Sequence, residues 1–314
     1  MFPRKHGSGT SIECIFHEVM RCATLACLLA LPAIAATLPR TSPIVVVALE
    51  NESYSDVVGS ASMPYYNSLI PTYALTGNFY ADVHGSFPDY AMVTTGELVT
   101  AAGWGLPSDF PISIDNIVRE MVKGGKTWRV YAENLPSMGY TGGDQWPYVK
   151  RHNPFAYMTD VVGTAQANNL VEFSPNFSSD LATNALPNFS FVIPNAVDDG
   201  SLCADQTLNC PNTTRLSKLD QWLQANIAPL FRNPAFQSGG VLILWWDEGD
   251  AADTAKGGGR VGNLFAGPKV KSNYISMTFY RHEHVLRTLE ELLGINKAGC
   301  TVYIHSVSDL FLGS

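Results

Sequence analysis

Val241-Leu242-Ile243-Leu244-Trp245-Trp246, followed directly by Asp247-Glu248-Gly249, is an unbroken apolar run that ends on two carboxylates. Bounded by Gly239-Gly240 and Gly249, it reads as a strand covered on both faces, the kind found in parallel sheets flanked by helices. In such sheets ligands bind beyond the carboxyl ends of the strands. Ile44 to Leu49 (IVVVAL) repeats the pattern and runs into Glu50-Asn51. Two buried strands therefore deliver oxygen donors to one edge. Adjacent carboxylates repel and raise each other's pKa, and a bound cation keeps them ionised together. Either acid alone also fits a simple turn cap; the recurrence at two strand ends is what points to a metal.

Outward from these strands, helical and extended patterns alternate. Met63 to Ala74 has helical apolar spacing, Asn78 to Val83 reads as a short strand, and Tyr90 to Ala101 as a helix. Ser113 to Lys123 is a capped amphipathic helix stopped by Gly124-Gly125, and the strand Thr127 to Ala132 follows. Phe189 to Ile193 and Val261 to Ala266 are further strands, with helices over Arg215 to Phe231 and Arg281 to Leu293. The alternation predicts an α/β fold, with a loop-rich stretch from Glu133 to Asn188 forming the rim of a site.

The first 36 residues read as a secretory signal peptide: Arg21, an apolar stretch from Cys22 to Ala36, and Ala33-Ile34-Ala35 as the cleavage pattern. Met20 is an alternative start. Residues 37–314 are expected to form one domain, secreted or periplasmic, and no later segment is apolar for long enough to span a bilayer. Cys14, Cys22 and Cys27 fall in the leader; Cys203 and Cys210 are spaced for a disulfide pinning a polar loop, and Cys300 lies apart from them. A net charge of −8 with no basic run disfavours nucleic acid as a partner and a strong grip on anionic membranes.

His84-Gly-Ser86-Phe-Pro-Asp-Tyr90 is the third informative segment, a turn that leads into a helix. A serine at a helix entrance gains from the positive end of the dipole, and beside a metal its hydroxyl can lose a proton and attack phosphorus. Taken by itself, Ser86 equally fits a plain N-cap. Gly257-Gly258-Gly259 suggests a phosphate cradle, but no Lys-Ser/Thr opens a helix after it, so it is not a nucleotide P-loop.

These segments occur in a characteristic order: Glu50-Asn51-x-Ser-Tyr54, His84-x-Ser86-x-Pro-x-Tyr90, Pro194-Asn195 with Asp199, Asp220-x-Trp222-Leu223, Asp247-Glu248-Gly249, Gly257-Gly-Gly-Arg-Val261 with Gly267-Pro268, and His282-x-x-x-Leu-Arg-Thr-Leu-Glu290. The chain resembles the phosphoesterase family of bacterial acid phosphatases and phospholipases C, within the alkaline phosphatase superfamily, from about Ile44 to Gly294. The resemblance implies a three-layer α/β/α sandwich with a mostly parallel central sheet. It also implies a metal held by Glu50, Asn51, Asp247 and Glu248, and a nucleophile at Ser86. Superfamily members often hold a second metal, and its places match Asn195, Asp199 and His282. Here the family's usual histidine two residues after Asp199 is Ser201, and its usual asparagine after the proline is Asp89. The expectation is therefore one divalent cation, with Asn195 and Asp199 a poorer set for a second.

His282 is expected to be a ligand or the acid that assists the leaving group, and His84 and His152 to bind non-bridging phosphoryl oxygens. The implied substrate is a small phosphate ester or a phospholipid head group. Two other readings fit less well. Sulfate-ester hydrolysis would call for Cys-x-Pro-x-Arg or Ser-x-Pro-x-Arg, which the chain lacks, and a non-catalytic binding protein would keep only a degenerate metal site.

Overall fold

The computed structural model describes residues 38–99, 111–205 and 207–313, so the leader and the end of the helix expected to reach Ala101 lie outside the described residues. The opening run is strand β7 (Val241–Trp246) and its counterpart is β1 (Ile44–Leu49), with every residue of both buried. They pair in parallel, from Ile44 opposite Val241 to Leu49 opposite Trp246. Glu50 and Asp247 therefore leave the sheet side by side. On the other flank of β1 lie three more parallel strands, β6 (Phe189–Ile193), β4 (Trp128–Ala132) and β5 (Leu170–Glu172).

Beyond β7 the sheet turns mixed. β9 (Leu264–Ala266) is antiparallel to β7, β2 (Ala74–Thr76) is antiparallel to β9, and β10 (Tyr274–Ser276) is parallel to β2. The order is β10-β2-β9-β7-β1-β6-β4-β5, which places β7, β1 and β6 at the centre. A separate ribbon pairs β3 (Phe79–Tyr80) with β8 (Arg260–Val261).

The two tryptophans sort the helices. Successive strand residues face opposite sides of a sheet. Trp245 meets Tyr90 of α2 (Phe87–Thr95) and His282 of α5 (His282–Leu293), with ring centroids 4.9 and 5.0 Å away. Trp246 meets Tyr66 of α1 (Pro64–Leu69) on the other side, at 6.3 Å. The Asp220 carboxylate of α4 (Asn212–Asn226) accepts hydrogen bonds from the Tyr65 and Tyr66 backbone N–H groups, both at 2.8 Å, and so ties α4 into the α1 layer. The result is the expected α/β/α sandwich.

Several boundaries differ from the sequence reading for local reasons. The helix expected over Met63 to Ala74 is Pro64–Leu69, and Ala74 instead opens β2 and pairs with β9, because tertiary pairing overrides its apolar spacing. The strand expected over Asn78 to Val83 shrinks to β3. The one expected over Val261 to Ala266 splits into β8 and β9, and between them Asn263 accepts a hydrogen bond from Trp246 N at 2.7 Å. α2 starts earlier, at Phe87, and stops at Gly96, whose φ of 71° suits glycine. α3 (Ile117–Lys123) begins after Asn116, whose side chain accepts from Arg119 N. Cys203 and Cys210 are joined as expected, with Cα atoms 5.9 Å apart. No helix among the described residues is long and apolar enough to cross a membrane.

Ile243 is fully buried at the middle of β7. Ile243→Ala is expected to lower unfolding stability by about 2–5 kcal/mol in chemical denaturation, through lost burial and the cavity left behind.

Candidate active site

Three adjacent strand ends build the site: β7 supplies Asp247 and Glu248, β1 supplies Glu50 and Asn51, and the turn after β6 supplies Asn195 and Asp199. Glu50, Asp247 and Glu248 are buried, and no Lys or Arg forms an ion pair with them among the described residues. Burial first, then the charge of Asp247, pushes the Glu50 carboxyl well above the ordinary range; burial and Glu248 do the same to Asp247.

Ser86 lies between these acids. Its Oγ is 3.1 Å from Glu50 Oε2 and 3.1 Å from Glu248 Oε1. Ser86 has φ 44°, a region costly for a residue with a Cβ, and it sits at the N-cap of α2. Glu248 holds that conformation by accepting from Ser86 N at 2.7 Å and from Gly85 N at 3.0 Å. On the other strand end, Asn51 (φ 58°) donates from its backbone N–H to Asp247 Oδ1 at 3.1 Å and from its amide to Glu50 Oε2 at 2.7 Å. One hydroxyl thus faces a pocket of carboxylates at the positive end of a helix.

The oxygen donors suit a hard divalent cation. Asp247 Oδ2 is buried without a hydrogen-bond partner, and among the described residues Asp247 has no ion pair with a basic side chain. A cation held by Glu50, Asn51, Asp247 and Glu248 would satisfy both requirements.

The residues of the expected second set are partly engaged with protein groups. Asn195 Oδ1 accepts from Val197 N and Asp198 N at 2.9 and 3.1 Å, and its amide donates to Asn134 Oδ1 at 2.9 Å. Asp199 Oδ1 accepts from Ser201 N and Oγ at 2.8 and 2.6 Å, while Oδ2 faces His152 Nδ1 at 3.3 Å. Asn195 and one Asp199 oxygen are thus engaged, the latter by the serine that replaces the family's histidine, while Asp199 Oδ2 is buried without a hydrogen bond.

Two of the three histidines are enclosed, and the third is partly open. His282 is fully buried: its Nδ1 accepts the Trp245 indole N–H at 2.9 Å, so Nε2 carries the ring hydrogen, pointed at the Asp247 carbonyl oxygen 2.6 Å away. Burial pushes its pKa down to about 4. It has no free lone pair for a metal and no exposed face for a leaving group; it braces the Asp247 backbone. Asp82, Asp89 and His282 do cluster closely enough for an ion, but the same tautomer withholds the histidine nitrogen.

His152, expected to bind substrate oxygens, is enclosed instead. Its Nε2 is 3.3 Å from Glu50 Oε1 and its ring lies flat on Tyr90, with centroids 5.6 Å apart. Burial lowers its pKa, but the charges of Glu50 and Asp199 outweigh that and raise it. His84 is the open one, about a quarter exposed, with Nδ1 2.5 Å from Glu248 Oε2 and Nε2 3.0 Å from the Asp253 carbonyl oxygen. Sequence reasoning missed Tyr90, whose hydroxyl donates to Glu50 Oε1 at 2.7 Å. Its place four residues after Ser86, on the same helix face, was the available signal.

Solved structures of the alkaline phosphatase superfamily share this architecture. A superfamily protein from Vibrio parahaemolyticus aligns with a TM-score of 0.60 at 14% identity, covering 85% of this chain and 70% of that one. The lipoteichoic acid synthase LtaP of Listeria monocytogenes aligns at 0.58 and 11% identity, over 85% of this chain and 77% of its own. The fold is thus that of the alkaline phosphatase superfamily. Within it, the phosphoesterase family model matches residues 60–296, and the chain belongs to that family of phosphoric ester hydrolases. It is 28% identical to a phosphatidylinositol-3-phosphatase of Mycobacterium tuberculosis over 88% of this chain and 85% of that protein. An acid phosphatase of Aspergillus fumigatus is 24% identical over 81% of this chain, which spans 55% of the fungal protein.

An acid whose folded pKa exceeds its unfolded value binds more protons when folded, so its contribution is complete below the unfolded pKa and is lost as pH rises above it. Glu50 and Asp247 are both of this kind. With chelator present, thermal melts should show stability falling as pH rises from about 4, the unfolded carboxylate value, to 7. Added divalent cation should raise the melting temperature more at pH 7 than at pH 4.

Proposed function

We propose that this chain is an exported, divalent-metal-dependent phosphatase that hydrolyses small phosphate monoesters through a nucleophilic Ser86. The observation that carries the reading is the Ser86 hydroxyl, held in a left-handed conformation at equal distances from Glu50 and Glu248. Active-site nucleophiles on strained turns at helix N-termini follow the same physical logic: the backbone exposes the oxygen, and the dipole favours negative charge around it.

The chemistry needs little beyond positioning and charge neutralisation. A bound cation would neutralise the carboxylates and the phosphoryl oxygens and make the Ser86 hydroxyl more acidic. Ser86 Oγ bonds to phosphorus as the ester oxygen departs. The Oγ proton passes to one of the carboxylates that hold it, and the departing alkoxide takes up a proton from solvent water. Water then attacks the phosphoserine, releasing phosphate and restoring the hydroxyl. Both ring nitrogens of His84 face acceptors and therefore both carry hydrogen, which places positive charge at the mouth where the phosphoryl oxygens arrive.

The relatives named for phosphatase activity support a monoester over a diester, and the mycobacterial one extends the substrate class to phosphorylated lipid head groups. The Ala-x-Ala leader pattern and the Cys203–Cys210 disulfide support export to an oxidising compartment.

Ser86→Ala should lose about 10⁴-fold or more in kcat on an aryl phosphate while binding metal as the parent does; parental turnover would remove Ser86 as the nucleophile. Asp247→Asn should lose metal and activity together, read by elemental analysis after dialysis beside the rate. A panel of phosphomonoester, phosphodiester, phosphatidylcholine and aryl sulfate, run with and without chelator, should show chelator-sensitive turnover of the monoester first. Preference for phosphatidylcholine would make the chain a phospholipase C instead.

A further inference from the structure

We infer that an apolar rim beside the site, carried by Trp146 and Leu208, docks this chain on a lipid–water interface and brings phosphomonoester lipids lying there to the site. The inference rests on the phosphatase reading above and gives that chemistry a surface to work on.

Trp146 is 52% exposed and Leu208 69% exposed. One exposed apolar side chain carries no message, but two on adjoining loops beside a site do. Trp146 lies on the loop that leaves the carboxyl end of β4, and Leu208 on the loop after the β6 turn. The loops meet at Ala196, whose N–H donates to the Pro147 carbonyl oxygen at 3.1 Å and whose carbonyl oxygen accepts from Leu202 N at 2.9 Å. In the same turn the Asp199 carbonyl oxygen accepts from Glu50 N at 3.0 Å. Both exposed tips are therefore tied to the strand end that carries Glu50. Ile275 of β10 is also exposed, but β10 is the opposite edge strand of the sheet.

Both loops are held in shape without a partner. Gln145 and Tyr148, on either side of Trp146-Pro147, exchange backbone hydrogen bonds at 3.1 and 2.9 Å, and the Tyr148 ring packs edge-on against Tyr140. The Cys203–Cys210 disulfide closes the loop that carries Leu208, and Arg215 Nε donates to the Gly200 carbonyl oxygen at 3.1 Å. Preorganised loops lose little freedom on docking.

Charge selects the partner. With a net charge of −8 the chain gains no long-range attraction to an anionic surface. Yet Lys150 and Arg151, on the same segment as Trp146, form no ion pair among the described residues. Lys150 Nζ instead lies 4.2 Å from the centre of the Tyr157 ring, and Tyr157 packs edge-on against Phe87, the neighbour of Ser86. An indole settles at head-group level with its apolar body inward and its N–H toward water, a leucine beside it adds buried apolar area, and local cations suit an anionic phosphomonoester head group. The surface that fits is a neutral lipid host carrying phosphomonoester lipid.

The test mixes phosphatidylcholine vesicles containing phosphatidic acid with the metal-loaded protein and with the double variant Trp146→Ser, Leu208→Ser. The parent is expected to sediment with the vesicles and to release phosphate from them. The double variant, checked for an unchanged melting temperature, should lose about 10-fold or more in both readouts and keep the parental kcat/KM on a soluble aryl phosphate. Leu208→Ser alone should show a smaller loss in the same direction. Equal sedimentation and vesicle turnover by parent and double variant would overturn the inference, as would a parent that stays in solution.

Short-chain phosphatidic acid, kept below its micelle-forming concentration, separates docking from acyl-chain binding. Equal turnover of that monomer by parent and double variant supports docking; a loss as large as that on vesicles would assign the rim to the chain and overturn it. A parent that is dimeric by light scattering and a double variant that is monomeric would give the rim to a second copy and overturn it as well. A metal-loaded parent that sediments with vesicles through the rim but turns over no phosphomonoester, soluble or lipid, would remove the phosphatase reading and still support the docking surface.

Discussion

Glu50, Asp247 and Glu248 are buried together at the ends of neighbouring strands, where burial and neighbouring negative charge push the Glu50 and Asp247 carboxyls well above the ordinary range, so that ionising both calls for positive charge beside them. The rest of the site answers that constraint. A cation fits the oxygen donors of β1 and β7, His152 stands between Glu50 and Asp199, and His84 stands against Glu248. Ser86 occupies the remaining hydrogen-bonding position, donating where the acids accept. In the proposed mechanism, the acids that would destabilise an empty site are the ones that would make the serine hydroxyl reactive with a cation bound.

The sheet makes this arrangement possible. Parallel register between β1 and β7 carries Glu50 and Asp247 off the sheet at the same level, and β6 on the other side of β1 brings Asp199 beside them. Trp245 and Trp246 then lock the edge from both faces. Trp245 holds His282, which holds the Asp247 carbonyl, while Trp246 packs on α1 and donates from its backbone N–H to Asn263 Oδ1. The acids are buried between the helix layers, while His84 beside Glu248 is about a quarter exposed.

Much of this was legible in the sequence because it depends on local pattern. Apolar runs ending in Asp247-Glu248 and Glu50-Asn51 specify buried strands with acids at their ends, and Ser86 before Pro88 specifies a helix entrance. Short strands such as β2 and β10 were illegible, because three residues carry no period and their state is set by pairing partners distant in sequence. The histidine roles were illegible for a related reason. A histidine becomes a brace, a bridge or an open donor according to what faces its two nitrogens. Trp245 for His282 and Asp199 for His152 are contacts that only the folded chain makes. Asp89, where the family has asparagine, illustrates the same limit: its Oδ1 accepts from Asp82 N at 3.0 Å and faces His282 Nε2 at 3.3 Å, so it belongs to the scaffold behind the turn.

The central claim is that phosphate passes through a covalent bond to the enzyme, and the stereochemical course at phosphorus tests it most directly. Transfer from a substrate with a chiral, isotopically labelled phosphoryl group to an alcohol acceptor takes two in-line displacements if a phosphoserine forms, and the account predicts net retention of configuration. Net inversion would mean direct attack by the acceptor and would contradict it.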